Sequence, residues 1–504
     1  MLYNGVTIVF ELANNHQGYV DHAKEILRSI NAAAEKFKIR KIAKFQFRNL
    51  SSFIRIDTDN SDNKHISRFV ETELDLNEFE EIFEFARSLK FEIMVTPFDE
   101  QSVAHAVQLG VDYLKIASCS STDWPLIDLV ADQGLPVIFS TGGARIENVR
   151  RLVSLFEHKN VDFAFMHCVS LYPTATDQCL LDLYEEYKRE FPFVNVGWST
   201  HEDPNNLIPA CVAASKGINI FEKHVGLATN SVSLNNYSID VNGLTDWLQA
   251  IFEARSACNI EAFEEIRELE RPQLETLMRT GIAKRAISMG EVVTVADVEF
   301  RFPLRKGEYS TEVFSKHNII TATTNIELGQ SISEDNVLVE RKSSFHMSEL
   351  IQAYKAIVNT SRVVLPNDFK LEISHHDGIE DGHKVGAALI DVVNKDYCKK
   401  VLIMLPGQSH PEHKHVKKQE TFFVLWGDLE VTLNGEIIRL DVGDLLTVSR
   451  ESFHSFKSIK GCVFEEISTR AISGDSFYSD ESIDQLQLTD RKSWFDGWGR
   501  FQFD

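Results

Sequence analysis

From residue 6 to about 257, short runs of β-branched and aromatic residues alternate with amphipathic stretches at helical spacing, the pattern of repeated βα units. Eight runs carry it: VTIVFELA, IAKFQFR, FEIMVTPF, DYLKIAS, PVIFSTG, DFAFMHC, NVGWST and INIFEKHV. Each is apolar through its body and polar at its C-terminal end: Glu11, Lys44 and Gln46, Thr96, Lys115 and Ser118, Ser140, His167, Ser199 and His201, Glu222 and His224. Eight such units in about 250 residues predict a closed (β/α)8 barrel over residues 1–260, with these ends gathered on the rim where barrels of this kind do chemistry. A doubly wound open sheet would show a similar alternation.

The pattern then changes. IEAFEEIRELERPQLETLMR reads as an exposed linking helix over 261–275, broken at Pro272. AISMGEVVTVADVEF (286–300) and NIELGQSISEDNVLV (325–339) superpose at an offset of 39 residues, Gly290 on Gly329, Val293 on Ile332 and Val298 on Val337. Two copies too short to bury their own apolar faces predict a pseudo-symmetric module over 276–340. Residues 341–385 give no clear period and are left as a connector. From 386 to 475, alternating strands with NG and GD turns predict a small β-barrel, and the tail 476–504, ending DRKSWFDGWGRFQFD, is expected to pack back on the body.

A chain of 504 residues is too long for one core, in keeping with this division. Seven scattered cysteines without a Cys-x-x-Cys pair exclude a disulfide framework and a thiolate zinc site. The net charge of −23 repels nucleic acid and anionic membrane, so an anionic substrate needs a local cluster of Lys, Ser and backbone amides. No apolar run is long enough to cross a bilayer, and MLYNGVTIVFELANN lacks the basic and small-residue marks of a signal peptide. The expected location is the cytoplasm.

His201 and His224 stand at the ends of neighbouring strands, within reach of one divalent ion. Inward lysines at 44 and 115 need an anion or a carboxylate to offset burial. Ser118, Ser140 with the following TGG, and Ser199 add hydroxyls and a nest of amides suited to phosphate. Taken singly, each is a rim histidine or a strand cap; seven such side chains on five strands strain that explanation.

ELANNHQG, KFQF, TPFD, YLKIASCSSTDWPLI, FSTGG, CVSLYPT, GWSTHED and FEKHVGL resemble, in order, the strand-end motifs of the sialic acid synthase family. The repeat module is similar to the antifreeze-like (SAF) domain that follows the barrel there. The resemblance covers about residues 1–340. It implies condensation of phosphoenolpyruvate with an N-acylated amino sugar in its open aldehyde form, with release of phosphate. It further implies a manganese or magnesium ion on His201 and His224 polarising the aldehyde, and Glu11 holding the sugar or the metal-bound water. Lys44, Lys115, Ser118, Ser140 and Ser199 would then bind phosphoenolpyruvate, while Gln46, Thr96 and Tyr172 line the substrate pocket. A homodimer is implied, an arginine of the exchanged SAF domain, Arg301 or Arg305 with Arg301 favoured, reaching over the partner's barrel. Three departures stand out: Thr200 within Ser199-Thr200-His201, Ser170, and Leu234 with Asn235 where a sugar-side acid is expected. They imply a retained phosphoenolpyruvate site and an acceptor other than N-acetylmannosamine. A sugar-binding regulatory protein on the same scaffold is the rival reading.

GQSHPEHKHVKKQETFFVLWG fits the first cupin motif, and Gly443 to His454 fits part of the second. Residues at i and i+2 share a strand face, so His413 and His415 point into the barrel, where Glu420 and His454 complete a three-His, one-carboxylate set for Mn, Zn, Fe or Ni. The surrounding sequence is similar to cupin sugar isomerases of the lyxose isomerase kind. That resemblance implies an open-chain sugar chelated by the metal, with Lys417 or Lys418 moving the proton. A sugar-binding or dimer-stabilising appendage is the alternative, and a third is that the cupin is the main enzyme and the barrel binds its substrate.

Overall fold

The computed structural model describes residues 5–58 and 63–499. The first four residues of the segment read as a non-signal strand, and the last five of the aromatic tail, lie outside the described residues. The chain divides into two compact units, Met1–Glu264 and Glu265–Asp504.

Unit one is a closed parallel barrel. Strands β1 (Val6–Glu11), β2 (Ile39–Phe47), β3 (Glu92–Pro97), β4 (Tyr113–Ile116), β5 (Val137–Ser140), β6 (Phe163–Cys168), β7 (Asn195–Thr200) and β8 (Ile220–Gly226) pair in chain order, and β1 closes on β8. The register sets Glu11 beside Lys44 on one side and His224 on the other. Alternation then sorts the side chains. Ile8, Phe10, Phe45 and Phe221 face the helices and join the large outer core, while Val9, Ile42, Met94, Tyr113, Ile138, Ala164, Met166 and Ile220 fill the lumen. Two residues further along these strands the inward positions are polar: Glu11, Lys44, Thr96, Lys115, Ser140 and Glu222. The apolar layer is therefore a floor beneath a polar cup. His167 corrects one expectation: it lies out of step with the inward positions of β6, and its Nε2 is 2.8 Å from the Cys179 carbonyl instead of in the cup. The outward Lys223, 0% exposed, is paired at 2.9 Å with buried Glu202, which holds the loop carrying His201 against β8.

In the second unit the helix Phe263–Glu275 continues through Pro272 instead of breaking there. The helix is wholly exposed, so water is available to the carbonyl that proline leaves without a donor. The repeat folds as two hairpins, Thr280–Ala283 with Val298–Arg301 and Asn318–Ala322 with Val337–Arg341. Reciprocal bonds of 2.9 Å between Ile287 and Ile326 lie on its pseudo-twofold, and Val293, Val298, Ile332 and Val337 share one core. The segment left unread contains a helix, Ser343–Ser361, whose Met347, Leu350, Ile351, Tyr354 and Val358 form a buried stripe against Leu371, Ile390 and Ile403. Buried Gln408 ties this helix to the β-barrel through the Tyr354 hydroxyl at 2.6 Å. That barrel consists of a seven-stranded and a five-stranded sheet, and the tail joins it as Lys492–Asp496, antiparallel to Lys370–Ser374. Among the described residues no helix is long and apolar enough to cross a membrane, and all seven cysteines are free thiols.

His16, in the ELANNHQG loop after β1, is 2% exposed, edge-on to Phe79, and accepts a bond from the Gly18 amide. Burial, then the charges of Arg68 and His22, lower its pKa to about 4. The unfolded chain takes up a proton near pH 6.5 that the folded loop refuses, so its contribution is intact above that pH and is lost as pH falls towards 4. The loss approaches roughly 3 kcal/mol. His16→Gln should flatten the acid side of a urea-midpoint versus pH profile; an unchanged slope would refute the assignment.

Candidate functional site

The polar cup opens into a cavity of about 920 Å³ lined by Glu11, Lys44, Gln46, Thr96, Lys115, Ser118, Ser140, Tyr172, Ser199, His201 and His224. The barrel residues given a catalytic, metal or substrate role in the sequence thus meet in one place, whereas His167 does not join them. Arg301 belongs to the other unit, where it is exposed and paired with Glu299 at 2.8 Å.

At the floor stands a residue the sequence reading gave no role. Glu222 receives Lys44 Nζ at 2.7 Å on one oxygen and Lys115 Nζ at 2.6 Å on the other, with Ser199 Oγ donating at 3.1 Å. Lys44 also reaches Glu11 at 2.5 Å. Its spacing of two from His224 was the available signal, since both must face the lumen. The two ammonium groups shift in opposite directions. Burial pulls Lys44 down, but the carboxylates of Glu11 and Glu222 outweigh it and the net shift is upward. Lys115 has only Glu222, feels the Lys44 charge, and is lowered by its burial. Burial opposes the ionised form of Glu222 too, yet the two lysines hold it well below the usual carboxylate range.

Ser118 and Ser170 lie against the TGG turn that follows Ser140, while Ser199 joins the cluster through Glu222. The Gly142 amide donates to Ser118 Oγ at 3.1 Å. A Cβ on Gly142 would collide with Ser170 Oγ and stand 2.7 Å from Ser118 Oγ, so only glycine permits this approach.

The His201 and His224 rings lie 5.4 Å apart, packed by Tyr172 and Tyr237. His201 donates Nδ1–H to the Val169 carbonyl at 3.0 Å, which leaves Nε2 as a free lone pair. Burial, then His224, lowers the His201 pKa to about 3; burial, then the Lys44 charge, brings His224 to about 3. Two neutral imidazoles facing one cavity fit a divalent cation. At the cavity wall Arg48 is sandwiched between Phe69 and Phe98, its guanidinium carbon 4.0 and 3.7 Å from the ring centres, and its Nη2 donates to Gln46. Neither Arg48 nor Tyr237 was found by sequence reading, because they come from loops without a periodic signature.

The second unit holds a cavity of about 360 Å³. One nitrogen from each of His413, His415 and His454 lies within 4.8 Å of the other two. Their Nδ1 atoms are committed to the backbone carbonyls of Pro411 at 2.9 Å, Asp475 at 2.8 Å and Ser452 at 3.1 Å, so Nε2 is the donor atom left on each ring. That arrangement orients metal ligands and keeps them basic. Glu420 Oε1 is 2.7 Å from His454 Nε2, yet neither atom has a hydrogen-bond partner among the described residues. Two buried acceptors facing each other without a proton between them are costly; a cation shared by both removes the cost, and the set fits one. The other oxygen of Glu420 accepts from Lys418 Nζ at 2.6 Å, and the same ammonium reaches Glu466 at 2.9 Å. Lys417, the other lysine considered for proton transfer, is exposed. Glu466, His410 and His376 were missed: Glu466 lies on a strand far along the chain, His410 lies in the quoted cupin stretch but out of step with His413 and His415, and His376 lies in the unread connector.

Residues 19–261 match the model of the NeuB family and residues 400–463 that of the cupin domain. The chain is 22% identical over 348 residues to the N-acetylneuraminate-9-phosphate synthase of Mus musculus, covering 68% of this chain and 94% of that protein. It is 27% identical over 349 residues to a pseudaminic acid synthase of Campylobacter jejuni, covering 66% and 96%. A crystal structure of a spore coat polysaccharide biosynthesis protein E from Chromobacterium violaceum is 35% identical, with a TM-score of 0.62 over 66% of this chain and 99% of its own. The N-terminal unit is a domain of the NeuB family, of the sialic and pseudaminic acid synthase kind, and the same chain carries a cupin domain behind it.

Proposed function

We propose that the barrel condenses phosphoenolpyruvate with an open-chain amino sugar or related aldose, releasing phosphate and forming a sugar acid of the nonulosonic type. The observation carrying this is the Lys44–Glu222–Lys115 cluster, joined by Ser199, in one cavity with Ser118, Ser140 and the Gly142 turn. The lysines, Ser118, Ser140 and Ser199 hold the phosphate and carboxylate of the enol, Glu222 keeping both ammonium groups in place before substrate arrives. Gln46, Thr96 and Tyr172 line the acceptor pocket. A divalent ion such as manganese or magnesium, held by His201 and His224, supplies Lewis acidity towards the acceptor's carbonyl oxygen. The enol's terminal carbon forms the new C–C bond as the aldehyde C=O opens to an alkoxide, water adds to the adjacent carbon with its proton passing to that alkoxide, and the C–O bond to phosphate breaks as the new hydroxyl becomes the keto group. Glu11, anchored by Lys44 and by the Ala13 amide at 2.8 Å, orients that water and relays its proton. Positioning two reactants in one enclosed site is the largest contribution a weak carbon nucleophile can receive.

The acceptor side departs from N-acetylmannosamine recognition at Thr200, Ser170 and Asn235, and the acceptor differs accordingly. The repeat module serves as an SAF domain in a homodimer, with the exposed Arg301 offered to a second copy. We read the cupin cavity as a sugar isomerase site, the specific support being Lys418 Nζ wedged between Glu420 and Glu466 beside the three histidines. His413, His415, His454 and Glu420 would hold a metal, Mn, Zn, Fe or Ni, which would supply Lewis acidity towards the sugar's oxygens. Since two carboxylates already occupy the Lys418 ammonium, Glu466 is the group that carries the proton.

Phosphate release from phosphoenolpyruvate, with manganese and a panel of acylated and free amino sugars, tests the main reading. Lys115→Met should lower the rate about 100-fold or more, and N-acetylmannosamine should not be the best acceptor. No release with any aldose would favour a sugar-binding regulatory protein. His413→Ala/His415→Ala should leave condensation unchanged; a fall would tie the cupin to that step. Metal analysis by mass spectrometry after manganese reconstitution should find two ions per chain, one lost in His201→Ala/His224→Ala and the other in His413→Ala/His415→Ala. Unchanged stoichiometry in either variant refutes that centre.

A further inference from the structure

The cupin cavity contains four cationic side chains besides its histidines, and three are matched. Lys400 pairs with Asp391 at 2.9 Å, Lys492 with Glu372 at 2.6 Å, and Lys418 with Glu420 and Glu466. Arg491 is different. Its Nε and Nη1 are buried and have no hydrogen-bond acceptor among the described residues. Its guanidinium lies 5.1 Å from the Tyr478 ring centre, an attraction to a π face that leaves the N–H donors free. Tyr478 in turn stands 5.6 Å from the His413 ring. The unmatched cation and the three-histidine group therefore flank one aromatic side chain within a cavity the size of a single small molecule.

We infer that this cavity binds a sugar carrying an anionic group, phosphate or carboxylate, with that group on Arg491 and the hydroxyls turned towards His413, His415 and His454. The inference rests on the carbohydrate reading of the cavity given above. Nε and Nη1 each share a donor edge with Nη2, so either edge of the guanidinium can meet the paired oxygens of a phosphate or carboxylate, and desolvation by the cavity strengthens the bond. The Arg491 segment is held in place by the His375 amide, which donates to the Arg491 carbonyl at 2.9 Å. Both segments lie outside residues 400–463, so the anion subsite is built by the connector and the tail around the common cupin barrel.

Isothermal titration of the manganese-reconstituted full chain tests this, using mannose 6-phosphate, glucuronate, mannose and inorganic phosphate. At least one anionic sugar should bind ten-fold or more tightly than mannose, and the two anionic sugars distinguish a phosphate from a carboxylate. Arg491→Gln should erase that advantage; binding elsewhere in the chain contributes equally to both proteins. Equal affinity for mannose and both anionic sugars overturns the anionic subsite and leaves the carbohydrate reading standing. Inorganic phosphate binding that is as tight as the sugar phosphate's and is lost in Arg491→Gln overturns the sugar. Should the variant fold poorly, phenylglyoxal labelling of the wild-type chain decides, with Arg491 followed by peptide mass spectrometry: protection by an anionic sugar but not by mannose supports the assignment, and absence of protection sinks it.

Discussion

A carboxylate between two ammonium groups, all but sealed from water, is the constraint around which the barrel is arranged. Removing one partner from such a cluster leaves a buried charge uncompensated, at a cost of about 3–5 kcal/mol. Glu222, Lys44 and Lys115 must therefore be kept together by the register of three strands that are not neighbours in sequence. With Glu11 included, two positive and two negative charges cancel, which lets the chain bury two lysines in an otherwise acidic protein. Burial keeps the two histidines neutral, helped at His224 by the Lys44 charge and at His201 by His224.

The cupin cavity uses the inverse arrangement. There one ammonium, Lys418, stands between two carboxylates, Glu420 and Glu466, and of three clustered imidazoles oriented by backbone carbonyls His454 faces the remaining oxygen of Glu420. A site built on two lysines sharing a carboxylate suits an incoming anion. A site with surplus carboxylate and three lone pairs suits a cation. The two units therefore place complementary chemistry in one chain, and Arg491 gives the second cavity a separate place for negative charge.

Much of this was legible in the linear pattern because it rests on local periodicity. The eight strand runs, the i, i+2 spacing of His413 and His415, and the offset between the two repeat copies are short-range regularities fixed by pleat and turn geometry. Where a residue's meaning depended on a distant partner, the pattern failed. His167 sits at a strand end like its neighbours, yet parity turns it outward. Pro272 reads as a breaker, yet an exposed helix tolerates it. The helix Ser343–Ser361 went unread although its apolar stripe is present, because hydrophobic residues at helical spacing there mix with polar ones of weak contrast.

The order of residues along the chain determined which side chains stand at strand ends, which share a face, and that two metal-ligating sets exist. Tertiary structure alone decided that Glu222 is the hub of the first site, that Lys418 is already engaged while Lys417 is in water, and that Arg491 Nε and Nη1 lack an acceptor among the described residues. The reason is that charge compensation and burial are properties of three-dimensional neighbourhoods: a carboxylate at position 222 has the same sequence context whether it faces two lysines or the solvent, and only closure of β8 on β1 settles which.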